Sequence, residues 1–383
     1  MKHLKLGIFG FGCVGQGLWD VINQTRGIKA DIIKICVKDE TKKRSIASSN
    51  FTFDKNEILF NPNIDVVVEL IDNSEDAYHI VKTAMQNGKS VVSANKKLIA
   101  EHLEELLELQ KKYKVSFLYE ASCCASIPII RNFEEYYDND LLQSFEGIVN
   151  GSTNYILTKT KEENLSYTQA LKQAQEKGYA ETDPRLDVDG YDAKYKLTIL
   201  LAHAFGIIAK PEQIFNVGIS RLGNLEFQYA REKGYKIKLI AIANKVSEDE
   251  IAAFVLPKFM TPDSKFYHVD DVFNAVQLET SFADKQFFAG RGAGAHPTAS
   301  AVLSDISALS YNYKYEYKKL GQNQYTLSNE VLIELLVRYQ NESDIDKDDF
   351  ESISEIYSAK SQLYIIGKIS LQKLLNSFWV NNN

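Results

Sequence analysis

Leu4-Lys5-Leu6-Gly7-Ile8-Phe9 runs without interruption into Gly10-Phe11-Gly12-Cys13-Val14-Gly15, and these twelve residues decide the fold. The apolar stretch Lys5–Phe9 reads as a strand, and Leu18, Trp19, Val21 and Ile22 recur at helical spacing just beyond the glycines. A strand, a G-x-G-x-x-G turn and a helix in immediate succession form the dinucleotide fingerprint. Gly10 permits the tight turn, Gly12 lets backbone approach a pyrophosphate, and Gly15 lets the helix meet the strand. The helix N-terminus, entered through Phe11, Cys13 and Val14, then faces the phosphates. At the end of the second strand Val37 is followed by Lys38, with Asp39 one place later and Lys42, Lys43 and Arg44 nearby. Basic groups there suit a ribose 2′-phosphate and point to NADP, with NAD the alternative cofactor.

Outward from the fingerprint the βαβ rhythm continues. Strand-like runs at Ile32–Val37, Val66–Leu70, Ser90–Ser93 and Ser116–Tyr119 are separated by amphipathic runs at Asp76–Gln86 and Glu101–Tyr113. The expected fold class is α/β, with an N-terminal Rossmann-type parallel sheet over residues 1–137. From about Asp138 the pattern changes to helices at Tyr167–Glu176 and Lys194–Phe205, then strands near Tyr235–Ala243, Glu250–Leu256 and Ala275–Thr280, which predicts a second, α+β domain over 138–284. A second Gly-rich turn, Gly290-Arg-Gly-Ala-Gly-Ala-His-Pro-Thr, opens a helix over Ala299–Ser310. Residues 313–383 read as a small appendage of two strand-like runs, Val331–Val337 and Tyr364–Ile369, around an acidic helix near Asp348–Tyr357.

With 383 residues the chain has room for two or three domains, and 45% apolar with 25% charged residues describes a globular protein. A net charge of −7, without a large basic block, argues against a nucleic-acid partner. Four cysteines without paired spacing indicate neither a disulfide framework nor a CxxC metal site, and fit a reducing cytoplasm. No apolar run is long enough to span a bilayer.

Two segments carry chemistry. Between Gly178 and Lys196 stand Glu181, Asp183, Asp187, Asp189 and Asp192, directly before the apolar helix that begins Leu197-Thr-Ile-Leu-Leu-Ala. Acids crowded at the mouth of a buried helix repel one another unless a cation joins them, so the segment suits an ammonium group. Asp192 and Lys196, four apart, share a helix face. The strand Ser90–Ser93 delivers Ala94-Asn95-Lys96-Lys97 to the carboxyl edge of the sheet, where ligands of such folds sit. If Lys96 and Lys196 share a cleft, each lowers the other's pKa, while nearby carboxylates push the other way.

In order along the chain, Gly10–Gly15, Ala94-Asn-Lys96, Glu120-Ala-Ser, Ile127-Pro-Ile-Ile, Gly147-Ile-Val-Asn-Gly-Ser-Thr-Asn-Tyr-Ile-Leu, Gly178–Lys196, Asn274-Ala-Val and Gly290-Arg-Gly-Ala-Gly resemble homoserine dehydrogenases across residues 1–310. The resemblance implies NAD(P)-dependent interconversion of L-homoserine and L-aspartate 4-semialdehyde, on the route to threonine, methionine and isoleucine, by a cytoplasmic homodimer. It implies that residues 285–312 complete the dinucleotide domain and that the middle domain serves substrate binding and dimerisation. Lys196 would be the proton donor to the alkoxide, and Lys96 would sit against the nicotinamide and the reacting oxygen. Glu181 and Asp192, with Asp187, would hold the substrate's ammonium and hydroxyl. Gly178, Glu181 and Gly294 would line the nicotinamide end. The family's backbone sodium site would fall on Glu120, Cys123, Ala125 and Ile127.

The chain departs from the family at three places. Cys123-Cys124-Ala125-Ser126 replaces a glycine-rich turn, Asp72-Asn73 replaces paired glycines, and the appendage lacks the Gly-rich effector turn of longer, regulated members. Cys123 or Cys124 also permits an alternative reading as the nucleophile of an acylating aldehyde dehydrogenase, with His296 or His203 as base.

Overall fold

The alternation of the first third becomes a six-stranded parallel sheet. A computed structural model describes residues 2–139, 141–322, 324–359 and 362–376. Its first sheet contains β1 (Leu4–Phe9), β2 (Ala30–Cys36), β3 (Phe51–Thr52), β4 (Val66–Glu69), β5 (Ser90–Ser93) and β6 (Phe117–Leu118) in the order β3-β2-β1-β4-β5-β6, every pair parallel. Strand order reverses between β1 and β4, and this switch point is where a doubly wound fold opens its ligand crevice. Helices α1 (Cys13–Gln24), α2 (Asn56–Leu59), α3 (Ser74–Gln86) and α4 (Lys96–Tyr113) connect the strands.

The glycines of the first turn are each accounted for by a near neighbour. Gly10 is left-handed at φ +97°, and a β-carbon there would lie 2.6 Å from the Leu70 carbonyl oxygen. One on Gly15 would lie 2.6 Å from the Gly10 oxygen, whereas Gly12 faces open space. Helix α4 starts five residues before the run Glu101–Tyr113, because Asn95 caps it by accepting from the Leu98 N–H at 3.1 Å; Lys96 is therefore its first helical residue.

After the short α5 (Ile129–Arg131), the second unit is a mixed sheet of β7 (Leu142–Ile148), β8 (Phe215–Asn216), β9 (Lys236–Lys245), β10 (Glu250–Met260), β11 (Phe273–Thr280), β12 (Asp284–Arg291) and β13 (Thr326–Leu327). Its order is β12-β11-β7-β9-β10-β13, with β8 also on β10. Helices α6 (Gly151–Glu162), α7 (Tyr167–Glu176), α8 (Arg185–Val188), α9 (Tyr191–Phe205) and α10 (Asn224–Glu232) belong to this unit, and α6 and α9 lie against β9. The chain then returns to the first unit. Helix α11 (Ala295–Leu309) lies along α1 so closely that a β-carbon on Gly17 would meet the Ala295 oxygen at 2.6 Å. Residues 284–291 pair with β11 in the second sheet, so the returning segment starts at the turn after Arg291 rather than at residue 285.

The appendage is a three-stranded antiparallel sheet of β14 (Leu332–Tyr339), β15 (Ser352–Ala359) and β16 (Gln362–Ser370), in the order β14-β16-β15, followed by α12 (Leu371–Leu374). Leu371, with Ile333 and Leu335, covers an apolar face of the second sheet formed by Ile240, Ile242, Phe254 and Leu256. The acidic helix expected near Asp348–Tyr357 is not formed; a short turn of 3₁₀ helix over 347–349 leads into β15. A register shift between Ile353 and Glu355 inserts an extra residue, which turns strand alternation into the three-residue spacing of Ile353 and Ile356 that imitates a helix.

Candidate active site

At the carboxyl edge of the parallel sheet a cleft of about 320 Å³ opens between the two units. The first unit contributes Cys13, Val14, Ile71, Asp72 and Lys96, the second Asn150, Asp187, Asp192 and Lys196, and the returning turn Gly292 to Gly294. Asp192 is its electrostatic centre. Its Oδ1 lies 2.7 Å from Lys96 Nζ and its Oδ2 2.8 Å from Lys196 Nζ. The carboxylate is 2% exposed and Lys196 10%, while Lys96 is 40% exposed on the cleft side. Lys196 Nζ also donates to the Val149 carbonyl at 2.6 Å. Asn150 caps α6 with its oxygen, accepting from the Thr153 N–H at 2.8 Å, and its Nδ2 donates to Asp187 Oδ1 and Asp192 Oδ2, each at 2.7 Å.

Although burial opposes ionisation of Asp192, the two ammonium groups outweigh it and hold the carboxyl well below the usual range. Asp187 is pushed up by burial and by the charge of Asp192. The charge of Asp192 raises Lys96, so between the two opposing effects weighed from the sequence the carboxylates win at this lysine. Glu69, at the end of β4, is fully buried and pushed up to about 7; it accepts from the Ile71 N–H at 2.8 Å and from Ser93 Oγ at 2.6 Å, bracing the loop that carries Ile71 and Asp72.

Of the four side chains expected to converge, Lys96, Lys196 and Asp192 meet and Glu181 does not. Gly178 and Glu181 lie on an exposed loop after α7, where Gln175 Nε2 holds the Glu181 carbonyl at 2.9 Å, and neither lines the cleft. Glu181 acts on Lys96 only through its charge. Gly294 is in the lining, at φ +124°. Lys38 stands on the outer surface with Nζ 2.5 Å from Asp76. The sequence gives no sign of a role for Asn150; its bridge between two carboxylates is a tertiary relationship that chain spacing does not encode.

The residues present fit a dinucleotide. Gly12 begins α1 without a side-chain cap, so the first N–H groups of that helix are unclaimed by side chains beside the cleft. For a backbone-bound sodium ion, the relevant observation is that Cys124 and Ala125 adopt left-handed φ values of 49° and 41° despite their β-carbons, so the turn keeps a glycine-like path. The Glu120 and Ile127 carbonyls accept from Cys123 N–H at 3.2 Å and Ile129 N–H at 2.8 Å, which leaves a lone pair on each.

The cysteine-nucleophile alternative is not favoured. Cys123 and Cys124 are fully buried, and burial raises both thiols, Cys124 to about 12. Neither expected base is beside them: His203 is buried between Glu134, at 2.6 Å, and the Tyr119 hydroxyl, at 2.8 Å, while His296 is an exposed residue beside Asp20.

Hydride chemistry needs a nicotinamide laid against a group that manages one proton, and the crevice is shaped for the first and furnished for the second. The protein is an NAD(P)-dependent oxidoreductase. Residues 128–307 match the family profile described as homoserine dehydrogenase, and residues 10–120 match the one described as homoserine dehydrogenase, NAD binding domain. The chain is 37% identical over 314 residues to homoserine dehydrogenase of Lactococcus lactis, covering 79% of this chain and 73% of the relative. With the Bacillus subtilis enzyme it shares 35% over 323 residues, 82% and 74% of the two chains. The crystal structure of a homoserine dehydrogenase from Thiobacillus denitrificans superposes with a TM-score of 0.88 at 30% identity, covering 98% of this chain and 94% of the other. A hyperthermophilic archaeal homoserine dehydrogenase in complex with NADPH superposes with a TM-score of 0.70 at 26% identity, over 82% and 99%. The chain belongs to the homoserine dehydrogenase family.

Proposed function

We propose that the chain interconverts L-homoserine and L-aspartate 4-semialdehyde with NADP, as a cytoplasmic homodimer on the route to threonine, methionine and isoleucine. The observation that carries the chemistry is the single Asp192 carboxylate shared by Lys96 and Lys196 in the cleft. A nicotinamide held in the cleft would supply or accept the hydride at the carbon that alternates between aldehyde and alcohol. In the reducing direction Lys196 delivers a proton to the oxygen of that carbon, and Asp192 holds the donor ammonium in place. Lys96, the more solvated partner, faces the same oxygen and stabilises negative charge as it develops. Asp187, oriented by Asn150, presents an acceptor to the substrate's ammonium and hydroxyl, and Glu181, on the adjoining loop, adds negative charge at the mouth. A dinucleotide unit of residues 1–137, completed by α11, and a middle unit over 138–284 divide cofactor and substrate between them.

The reading of NADP over NAD rests on the loop after β2. Asp39, the nearest acid to a ribose, is turned back on its own loop, accepting from Thr41 N–H at 2.8 Å, Thr41 Oγ1 at 2.7 Å and Lys42 N–H at 3.2 Å. Arg44 lies over the Phe51 ring at 5.0 Å and, with Lys38, Lys42 and Lys43, makes the position rich in cations. A sodium ion on the carbonyls of Glu120, Cys123, Ala125 and Ile127 belongs to the same reading, supported by the left-handed turn. An absorbance assay of reduced nicotinamide, with homoserine against NADP and NAD in parallel and with or without sodium, tests reaction, cofactor and ion together; no turnover with homoserine and either cofactor overturns the proposal. Light scattering in solution tests the dimer, which requires twice the mass of one chain.

A further inference from the structure

The opposite end of the parallel sheet carries a second cavity, of about 580 Å³, walled by Leu4, Val66 and Ser90, which begin β1, β4 and β5, and by Ser116, the residue before β6. Into it come four lysines from three stretches of chain, Lys2, Lys111, Lys114 and Lys314, against one acid, Asp65. Lys2 pairs with Asp65 at 2.9 Å and Lys314 with Glu316 at 3.4 Å. Among the described residues Lys111 and Lys114 form no ion pair. In a chain of net charge −7 this is a local reversal of sign, and a concave surface of one sign concentrates counter-ions.

Helix electrostatics explain only part of the arrangement. Lys111 lies in the last turn of α4, where a cation complements the helix dipole. Lys114 is different. It ends α4 in the left-handed conformation, φ 55°, a position that favours glycine, and a β-branchless but bulky lysine there costs about 1 kcal/mol. Lys2 and Lys314 come from outside the helix, before β1 and after α11. Ser90, Ser116 and the largely buried Gln110 add polar groups to the same lining. We infer that this cavity is a binding site for a small polyanion of the phosphate class, held chiefly by Lys111 and Lys114 and remote from the dinucleotide crevice.

Calorimetric titration of the full chain with inorganic pyrophosphate, in the presence of saturating NADPH so that the dinucleotide crevice is filled, tests this. Saturable binding of one pyrophosphate per chain is expected, with Kd below about 1 mM at physiological salt. The double variant Lys111→Gln/Lys114→Gln should weaken it by about tenfold or more while leaving turnover unchanged. Lys114→Gly gives a second reading in which fold and binding move in opposite directions: the melting temperature rises as the left-handed cap is relieved, and pyrophosphate binds more weakly. Absence of saturable binding under these conditions, or equal affinity in wild type and the double variant, overturns the inference.

Discussion

Lys196 reaches back one turn of its own helix to Asp192, Nζ to Oδ2 at 2.8 Å, and so leaves the other carboxylate oxygen for Lys96. The lysine that serves as proton donor in the proposed reaction is thereby fixed by a carboxylate and by the Val149 carbonyl, with little freedom to sample other positions. Replacing it should damage chemistry more than binding. Lys196→Ala is expected to lower kcat by about 10²–10⁴-fold, the usual contribution of a positioned acid–base group, while NADPH affinity measured by fluorescence stays within about threefold. A variant retaining more than about a tenth of wild-type kcat would show that Lys196 is not the proton donor.

Neutralising the shared carboxylate should be felt in both pH dependence and stability. In Asp192→Asn the chief influence raising Lys96 is gone, so the alkaline limb of the kcat/KM profile should move to lower pH. Because the folded-state pKa of Asp192 lies below its unfolded value of about 3.9, its stabilisation is present above that value and is lost as pH falls through the folded value. The variant should therefore be less stable by about 2–4 kcal/mol at neutral pH, nearer the lower figure because Lys96 is partly solvated. In urea unfolding the difference between the two proteins should begin to shrink as pH falls below about 3.9 and narrow further with added acid.

Glu69 gives the opposite sign. Its folded-state value of about 7 lies above the ordinary glutamate value, so between the two the folded chain binds a proton that the unfolded chain has released, and stability falls as pH rises. Glu69→Gln mimics the protonated form. Its stability relative to wild type should increase from pH 5 to pH 7, by up to about 1.4 kcal/mol per unit, in urea unfolding at a series of pH values. A difference independent of pH would mean that Glu69 is ionised throughout.

Ala125 occupies a left-handed backbone position at φ 41° that glycine adopts without a steric cost. Ala125→Gly should raise stability by about 0.5–1 kcal/mol, read as a higher urea midpoint at unchanged slope. Any loss of stability would indicate that burial of the Ala125 methyl outweighs the strain.

How much was legible in the sequence follows from which relationships are local. The β1 turn, the α/β alternation and the four-residue spacing of Asp192 and Lys196 are written in consecutive residues, and the structure reproduces each. The pairing of Lys96 with Asp192 joins positions 96 apart, and its expectation came from the resemblance rather than from any periodicity. Asn150 caps α6 in the structure, and its further contacts, to Asp187 and Asp192, depend on how the helices of the second unit pack. Glu181 was grouped with the other acids because they are adjacent in the chain, but the loop after α7 turns its side chain to solvent. In β15 a single extra residue concealed a strand beneath helical spacing.

The seat of α11 along α1 bears on how the protein is made. At ordinary synthesis rates the residues that cover Gly17 leave the ribosome roughly 280 residues later, or ~15–60 s after it does. Throughout that interval the nascent nucleotide unit shows a bare apolar groove, so its biogenesis depends on the growing polypeptide being shielded until the last piece arrives.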